Sequence, residues 1–361
     1  MEAEVADELP PPPGWSYEPK WDGFRVIVWS ESGPDGDGKP GPRLDSRNAK
    51  PLLRYFPELE PALRRLPPGT VADGEIVVVI DGKLNFDALQ NRIHPAESRV
   101  RLLAAKTPAQ IALFDLLALD GEDLRRRPLS ERRGHLTRLA AALESDTAAS
   151  PWLLSPSTTD AKTAHAWFRD FEAAGFDGIV AKALDRPYAE GRREMIKVKH
   201  RRTVDCVVGG YRLRKDGKGV GSLLLGLYNR EGELHFIGHC SSFGDAESVV
   251  LLGALQTLHA DGGMAEGPDA GSGAAVGFGE HARRPGGQSR WSGDKDLDYA
   301  AVSPELVVEI SYDQLTGDRF RHAARFERWR PDKDPRDCTM DQLERPGGPG
   351  LGEVLGRTGS G

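Results

Sequence analysis

Short apolar runs separated by polar turns set the pattern of the first half of the chain. Residues 76–80 are β-branched and residues 111–117 are largely apolar, and both runs have the length of a buried strand. Residues 24–29 predict a further strand of aliphatic and aromatic side chains. Residues 130–145 and 160–174 predict helices. Strands and helices mixed in this way predict an α+β fold.

The pattern of apolar and polar residues changes after Arg202. Residues 204–213, 222–229 and 234–240 are apolar runs that alternate with Gly-containing turns, which is typical of an antiparallel barrel. Residues 262–289 carry no strand pattern and are rich in Gly and Ala, so we interpret them as a flexible insertion in that barrel.

The length of 361 residues allows two domains with separate cores. The change of pattern predicts a first domain at residues 15–202 and a second at residues 203–345. Residues 1–14, which end in a run of prolines, predict an extended tail. Residues 346–361 are Gly-rich and predict a second tail.

Basic residues are concentrated locally, although the net charge of the chain is -7. Residues 191–221 hold ten Lys or Arg against three acids, and residues 319–336 hold seven against three. Two basic blocks in an acidic chain indicate a cationic face for a polyanion. The alternative is two ordinary solvated surfaces.

The cysteines and the apolar runs constrain the compartment. Cys206, Cys240 and Cys338 are widely spaced, which implies neither a disulfide framework nor a zinc site. The acidic first eight residues lack the apolar core of a secretion signal, and no apolar run is long enough to span a bilayer. The expected location is therefore cytoplasmic.

The stretch around Lys20 holds the first candidate for chemistry. Pro19 precedes this lysine and an Asp-Gly turn follows, so the local pattern predicts a strand, a tight turn that carries Lys20, and a second strand. A free lysine is mostly protonated at pH 7, because its pKa is about 10.4. Cationic neighbours or burial would lower that pKa and make the amine a nucleophile. This stretch alone fits a covalent lysine that takes a nucleotide and equally an exposed lysine in a hairpin.

Two residues in or beside the predicted buried strands could also have either a functional or a purely structural role. Glu75 stands at the mouth of residues 76–80, where a charge needs a partner unless the carboxylate faces water at the strand edge. Phe114 lies within an apolar run, and the pattern alone favours a core position over a stacking surface for a ligand.

Charged residues also mark two later strands. Asp177 precedes an apolar run that ends at Lys182, and their odd spacing predicts opposite faces of a regular strand. Lys197 and Lys199 share one strand face, where a phosphate between them would relieve their repulsion. A solvated edge strand protected by lysines is the alternative.

Taken together, the ordered motifs of residues 15–345 resemble those of the covalent nucleotidyltransferase superfamily, and most closely the small bacterial ATP-dependent DNA ligases of the C type. The motifs are Glu18-Pro19-Lys20-Trp21-Asp22-Gly23, Ser46-Arg47-Asn48, Asp73-Gly74-Glu75, Phe114-Asp115, Asp177-Gly178-Ile179-Val180-Ala181-Lys182, Lys197-Val198-Lys199 and Arg330-Pro331-Asp332-Lys333. The resemblance implies an ATP-grasp-like nucleotidyltransferase domain with antiparallel sheets, followed by an OB-fold β-barrel domain.

The resemblance also implies roles at the nucleotide. Lys20 attacks the α-phosphate of ATP and carries AMP, Glu18 lies by the adenine amino group, and Phe114 stacks on the base. Arg25 and Arg47 hold the nucleotide and later the 5′-phosphate of the substrate.

Further implied roles concern the phosphates and the metal. Glu75 meets the ribose or a metal-bound water, and Glu75 and Asp177 are the expected ligands of Mg²⁺ or Mn²⁺. Lys182 is a further nucleotide-binding residue, and Lys197 and Lys199 hold phosphate oxygens. In the second domain Arg330 and Lys333 orient the leaving pyrophosphate.

The sequence departs from the family pattern at two places. Asp177 stands where the family usually has a glutamate, which places the geometry of the metal site in question. The usual upstream Pro-Met-Leu-Ala type segment is absent, so the wall above the base is expected to be built differently.

The implied activity is the sealing of 5′-phosphate/3′-hydroxyl nicks in duplex DNA through lysyl-AMP, in DNA repair. Nicked double-stranded DNA and other repair proteins are the expected partners of a monomeric enzyme that has no membrane association. The alternatives are an RNA ligase or a guanylyltransferase that caps RNA, from the same superfamily, and an inactive nucleotide- or DNA-binding module.

Overall fold

The computed structural model describes residues 1–31, 41–144, 150–241, 243–265, 278, 282–285, 298–344 and 347–356. The chain divides into two units, Met1–His200 with Pro346–Gly361, and Arg201–Arg345. The division lies within two residues of the boundary that the sequence predicts at residue 202.

The first unit is built from two sheets and the helices that cover them. Its strands are β1 (Glu2–Val5), β2 (Trp15–Pro19), β3 (Phe24–Trp29), β4 (Arg43–Ser46), β5 (Val71–Ile80), β6 (Lys83–Leu84), β7 (Ala109–Leu119), β8 (Glu122–Asp123), β9 (Trp152–Leu154), β10 (Gly178–Ala183) and β11 (Arg193–Lys199). Its α-helices before the second unit are α1 (Glu60–Leu63), α2 (Phe86–Gln90), α3 (Glu97–Lys106), α4 (Leu129–Glu144) and α5 (Ala161–Asp170). Short 3-10 helices span Leu53–Tyr55, Pro57–Leu59 and Phe171–Ala174.

The order of the first sheet is β1-β11-β10-β2, and the order of the second is β4-β3-β5-β7-β8, with β6 beside β5 and β9 beside β7. Most neighbours are antiparallel, whereas β1–β11 and β7–β9 are parallel. The apolar runs predicted at residues 76–80 and 111–117 lie within β5 and β7, and their buried side chains help to fill the main core of this unit.

Lys20 does not lie on a hairpin, contrary to the local prediction. β2 pairs with β10 in the first sheet, whereas β3 pairs with β5 in the second, so Lys20 lies on the crossing between the sheets. The backbone there is fixed by hydrogen bonds from Lys20 N to Gly178 O (2.8 Å) and from Asp177 N to Lys20 O (2.9 Å). The local pattern identified both strands but not their partners, because strand pairing is a long-range choice.

The two predicted tails both take part in the first unit. Within residues 1–14, β1 adds to the edge of β11, with Val5 opposite Lys197. In residues 346–361, helix Leu351–Val354 buries Leu351 and Val354 in the small core that also holds Trp21. Both predictions were wrong, because composition alone does not show that a few residues of each segment pair with a strand or pack into a core.

The second unit is a closed barrel, which confirms the predicted OB-fold domain. Its strands are β12 (Arg202–Leu213), β13 (Val220–Tyr228), β14 (Leu234–Ser241), β15 (His259–Ala265), β16 (Tyr299–Val302), β17 (Val307–Tyr312), β18 (Leu315–Thr316), β19 (Arg319–Phe320) and β20 (Ala324–Trp329). Helix α6 (Asp245–Gln256) follows β14, 3-10 helices span Pro335–Asp337 and Met340–Leu343, and α7 is the helix Leu351–Val354 of the first unit. The path β13-β14-β20-β17-β12 closes because β12 also pairs with β13.

The barrel is filled by apolar side chains from its strands, together with all three cysteines, which are buried and unbridged. The predicted insertion at residues 262–289 falls largely outside the described residues. Its described part differs from the prediction, because residues 262–265 lie in β15 and Phe278 is buried in the barrel core. Phe278 packs edge-on to Phe236 and lies where a side chain at Gly209 would collide with it. None of the helices in the described part of the chain has the length and apolar content needed to cross a membrane.

Candidate active site

A cavity of about 250 Å³ in the first unit collects most of the candidate residues of the sequence. Both sheets and the crossing between them contribute to its walls. Its charged and aromatic lining residues are Glu2, Glu18, Lys20, Trp21, Arg25, Arg47, Glu75, Phe114, Lys182 and Lys197. Nearly every predicted nucleotide-binding residue of the first domain therefore faces one space.

Glycines bring the walls of this cavity together. A Cβ at Gly23 would lie 2.2 Å from Ile76 O and 2.8 Å from the Glu75 side chain, so only glycine permits β3 to begin beside β5 here. Gly178 has φ +140°, and a Cβ there would lie 2.0 Å from Val198 O. These contacts explain the glycine at position 23 in the motif that begins at Glu18 and the glycine at position 178 in the motif that begins at Asp177.

Lys20 is ion-paired at the cavity wall. Its Nζ lies 2.6 Å from Asp177 Oδ2, and Lys199 Nζ lies 3.6 Å from the same oxygen. Asp177 is almost fully buried and Lys20 is partly exposed. The sequence predicts cationic neighbours for Lys20; the structure adds a carboxylate at shorter range.

Asp177 and Lys182 are not separated by the sheet as their spacing predicts. Lys182 lines the cavity, and Asp177 contacts the cavity-lining Lys20. The prediction assumed a regular strand, but Asp177 precedes β10 and the positive φ of Gly178 interrupts the alternation of side chains.

Glu18 and Lys182 form a buried pair at the side of the cavity. Lys182 Nζ lies 3.0 Å from Glu18 Oε2 and donates to Phe114 O at 3.3 Å. The same ammonium lies 4.5 Å from the centre of the Phe114 ring. Glu18 Oε1 is buried and accepts no hydrogen bond from any residue that the structure describes. Glu18 Oε1 can therefore accept a hydrogen bond from a ligand in the cavity.

Arg25 and Glu75 lie opposite each other on β3 and β5. Arg25 makes a two-point contact with Asp73, at 3.0 Å from Nε to Oδ1 and 2.6 Å from Nη2 to Oδ2. Glu75 Oε1 accepts from Gly23 N at 3.2 Å. Burial raises the pKa of Glu75 to about 7, although Lys20 and Arg25 nearby lower it.

Arg47 and Lys197 supply further positive charge. Arg47 is 66% exposed and donates to Glu2 Oε1 at 2.7 Å. Burial lowers the pKa of Lys197, and the neighbouring charges of Lys199 and Lys20 lower it further. Such cationic groups at one wall suit the oxygens of a polyphosphate.

Arg330 and Lys333 belong to the second unit. Arg330 Nη1 donates to Asp205 at 2.9 Å and 3.0 Å, and its Nε and Nη2 donate to Asp332 at 3.0 Å and 2.9 Å. Lys333 is half-buried, and its backbone N donates to Arg330 O at 3.2 Å. Arg330 thus holds the turn that carries Lys333.

Sequence reasoning missed three residues near the cavity. Glu2 and Ala3 line the cavity from β1, a strand that the acidic start of the chain did not predict. Tyr188 donates to Asp73 Oδ2 at 2.7 Å and accepts from Arg25 Nη2 at 3.3 Å. β1 therefore forms part of the wall of this cavity.

The fold and this arrangement agree with comparisons to known proteins. A family model described as the ATP dependent DNA ligase domain matches residues 4–199, and a model of the ATP dependent DNA ligase C terminal region matches residues 216–333. The first match alone covers more than half of the chain. The chain therefore belongs to the ATP-dependent DNA ligase family.

Individual relatives give the same assignment. DNA ligase C2 of Mycolicibacterium smegmatis is 50% identical over 93% of this chain and 91% of that protein. The multifunctional non-homologous end joining DNA repair protein LigD of Mycobacterium tuberculosis is 30% identical over 91% of this chain and 37% of that protein. A solved structure from a study of Lig E DNA ligases has a TM-score of 0.52 at 16% identity, covers 88% of this chain and 93% of its own, and supports the fold.

Proposed function

We propose that this protein seals 5′-phosphate/3′-hydroxyl nicks in duplex DNA through an adenylate that Lys20 carries covalently. The observation that supports the proposal most is the shared lining of one cavity. It combines an amine that can attack phosphorus, a buried pair beside an aromatic ring, and the cationic groups Arg25, Arg47 and Lys197. An inactive binding module would not require a lysine fixed by ion pairing among these groups.

The base-binding part of the proposal depends on Glu18. Its Oε1 needs a donor, because a buried polar atom without a hydrogen bond costs about 1–3 kcal/mol. The 6-amino group of adenine is such a donor, whereas guanine offers a carbonyl oxygen that a carboxylate repels. Phe114 offers its ring to the base beside this acceptor. The pocket therefore suits ATP rather than GTP.

The first reaction step forms a bond between Lys20 Nζ and the α-phosphorus and breaks the bond from that phosphorus to the bridging oxygen. Pyrophosphate leaves with the electron pair of the broken bond, and the proton that the amine loses passes to water. Asp177 holds Nζ at 2.6 Å, which fixes the direction of attack. Arg25 holds the bound nucleotide, and Lys197 stabilises the charge that develops on the phosphate oxygens.

A divalent ion is part of the proposal, held by Glu75 and Asp177. Among the residues that the structure describes, no three His, Cys, Asp or Glu side chains come together in a way that could hold a metal ion. Magnesium commonly uses one or two carboxylates and takes its remaining oxygens from water and substrate phosphates. Glu75 lines this cavity and Asp177 contacts Lys20 at its wall, so the two carboxylates fit that mode of binding. Such an ion would neutralise charge on the phosphates.

The later steps use the same groups. AMP passes from Lys20 to the 5′-phosphate of the nick, and the 3′-hydroxyl then displaces AMP. Arg47, which is largely exposed, is our candidate for the 5′-phosphate. Lys199 holds a phosphate oxygen, and Lys333, supported by Arg330, orients the leaving pyrophosphate in the first step.

DNA repair is the setting that we propose for this reaction, in the cytoplasm and with a monomeric enzyme. The support is the similarity to the repair protein LigD, which spans most of this chain. Other repair proteins are then natural partners, and the basic blocks suit contacts to the DNA backbone that do not depend on sequence.

A sealing assay tests this function. Nicked duplexes with a DNA or an RNA 3′-end are incubated with ATP and Mg²⁺ and with wild-type protein or Lys20→Ala. We expect sealing of the DNA nick by wild type and none by the variant. Sealing confined to the RNA end would instead support an RNA ligase, and the absence of any sealing by wild type would contradict the proposal.

A further inference from the structure

Arg25 lies at the boundary between two cavities. It lines the nucleotide cavity and also a larger one of about 540 Å³, which Trp29, Leu117 and Tyr188 help to line. An arginine side chain has several flexible bonds, so an Arg25 that was not held could turn into the larger space. Its function toward the nucleotide therefore requires something that fixes its guanidinium.

The fixing contacts come from Asp73 and Tyr188, together with the backbone O of Met1, which accepts from Arg25 Nη1. Asp73 is fully buried and accepts two hydrogen bonds from Arg25. The Tyr188 hydroxyl donates to Asp73 Oδ2 at 2.7 Å and accepts from Arg25 Nη2 at 3.3 Å. It thereby joins both ends of the ion pair on the side of the larger cavity.

Tyr188 is itself held by a second buried ion pair. Arg132 makes a two-point contact with Asp115, at 2.8 Å and 2.9 Å, and lies 5.8 Å from the centre of the Tyr188 ring. Arg132 also donates at 3.1 Å to Arg186 O, which lies two residues before Tyr188. The backbone N of Tyr188 donates to Arg125 O at 2.8 Å.

The two carboxylates of this network lie directly opposite each other on β5 and β7. Two like charges in that relation repel unless each has a partner. Asp73 has Arg25 and Tyr188, and Asp115 has Arg132. The Tyr188 hydroxyl is thus placed where it stabilises one carboxylate of the pair while it aligns Arg25.

We propose that Tyr188 is a positioning residue of the nucleotide site, which holds the guanidinium of Arg25 toward ATP through its shared hydrogen bonds with Asp73. The inference rests on the proposed function, because it requires that ATP binds in the cavity that Lys20 and Arg25 both line. Tyr188 touches no reacting atom, and its effect passes through Arg25.

The test is self-adenylation with labelled ATP by wild type, Tyr188→Phe, Arg25→Lys and the double variant. Removing one hydroxyl that contacts a charged group should raise the KM for ATP about tenfold while kcat changes less than about twofold. The double variant should equal Arg25→Lys, since the hydroxyl acts through that guanidinium. Tyr55→Phe, on the 3-10 helix Leu53–Tyr55 and away from both cavities, should match wild type.

Thermal melts of all variants separate positioning from loss of fold, and the kinetics are taken at a temperature where each is folded. An unchanged KM in Tyr188→Phe, or effects of the two substitutions that add, would overturn the inference. A fall in kcat with unchanged KM would do the same. If wild type takes up no label, the proposed function fails and the inference fails with it; label on wild type with no response to Tyr188→Phe defeats the inference alone.

Discussion

Glu18 and Lys182 show how single residues of this pocket keep full charges away from water. Both side chains are only about 3–4% exposed, and each is the partner of the other. A buried pair of this kind adds little net stability, but the loss of one partner leaves an uncompensated charge. The pair therefore constrains substitution at both positions.

Lys182→Met should lower the free energy of unfolding by about 3 kcal/mol or more, because Glu18 is left buried and unpaired. Glu18→Gln combined with Lys182→Met should lower it by less than Lys182→Met alone, since both charges are removed. Urea denaturation measures both. The exposed pair Arg101–Glu97 provides a control, and Arg101→Met should leave the midpoint unchanged. A double variant less stable than Lys182→Met would contradict this account.

Glu75 predicts a dependence of stability on pH. Burial raises its pKa to about 7 in the folded protein, whereas a glutamate in the unfolded chain titrates near pH 4.3. The folded state therefore binds the extra proton between these values, and stability from this group is lost as pH rises from about 4.5 to 7.

Glu75→Gln does not titrate, so its melting temperature should rise relative to wild type across that pH range and stay level above it. We expect a relative gain of about 3–6 °C, after allowance for partial exposure of the carboxylate. Melts of both proteins from pH 5 to pH 8 measure it. A constant difference between them would show that Glu75 titrates normally.

At the scale of elements, the sequence predicts strands better than their partners. β5 and β7 were predictable because a continuous apolar run of that length is typical of a buried strand. β1 was not, because two of its four residues are acidic and it forms by pairing with β11. The position of Lys20 between two sheets follows from the pairing of β2 with β10, which no local pattern contains.

The candidate site was more predictable than the topology, but only through motif order. Lys20, Glu75 and Phe114, which the motifs single out, line the same cavity. The direct ion pair of Asp177 with Lys20 was not predicted, since it depends on the positive φ of Gly178. Tyr188 lay outside every motif that the sequence singled out.

Gly178 provides a test at this scale. Gly178→Ala would bring a Cβ to 2.0 Å from Val198 O and disturb the pairing of β10 with β11. We expect clear destabilisation, by about 3 kcal/mol, and loss of self-adenylation, because Gly178 O also binds the backbone of Lys20. Thermal melts and labelling with ATP measure the two effects.

Gly134 is the matched control because it lies within α4, where the nearest atom to an added Cβ is a flexible Arg138 nitrogen at 3.7 Å. Gly134→Ala should be neutral or should stabilise the protein by up to about 1 kcal/mol. Equal effects of the two substitutions would mean that Gly178 has no special conformational role.

At the scale of the whole molecule, the chain pairs a nucleotide-binding unit with a barrel that carries its own cationic groups. Family membership extends over both units, because separate ligase models match residues 4–199 and 216–333. The proposed chemistry divides accordingly. Lys20 and the base-binding residues belong to the first unit, whereas Lys333 belongs to the second.

This division predicts that Lys333 matters for one step more than another. Lys333→Ala should slow self-adenylation by about a hundredfold, as expected for removal of a charge that stabilises the leaving pyrophosphate. Sealing of a nick that is already adenylated releases no pyrophosphate and should slow far less. Gel assays of the two steps provide the comparison. Lys218→Ala, an exposed lysine of the same unit, should affect neither. Equal losses in both steps would remove the pyrophosphate role.

We propose that one amine, Lys20 Nζ, carries AMP. Wild-type protein incubated with ATP and Mg²⁺ is digested, and its peptides are weighed by mass spectrometry. We expect an added adenylate on the peptide that contains Lys20, which is lost when the protein is incubated with pyrophosphate and is absent from Lys20→Ala. An adenylate found on another residue, or still formed by Lys20→Ala, would contradict it.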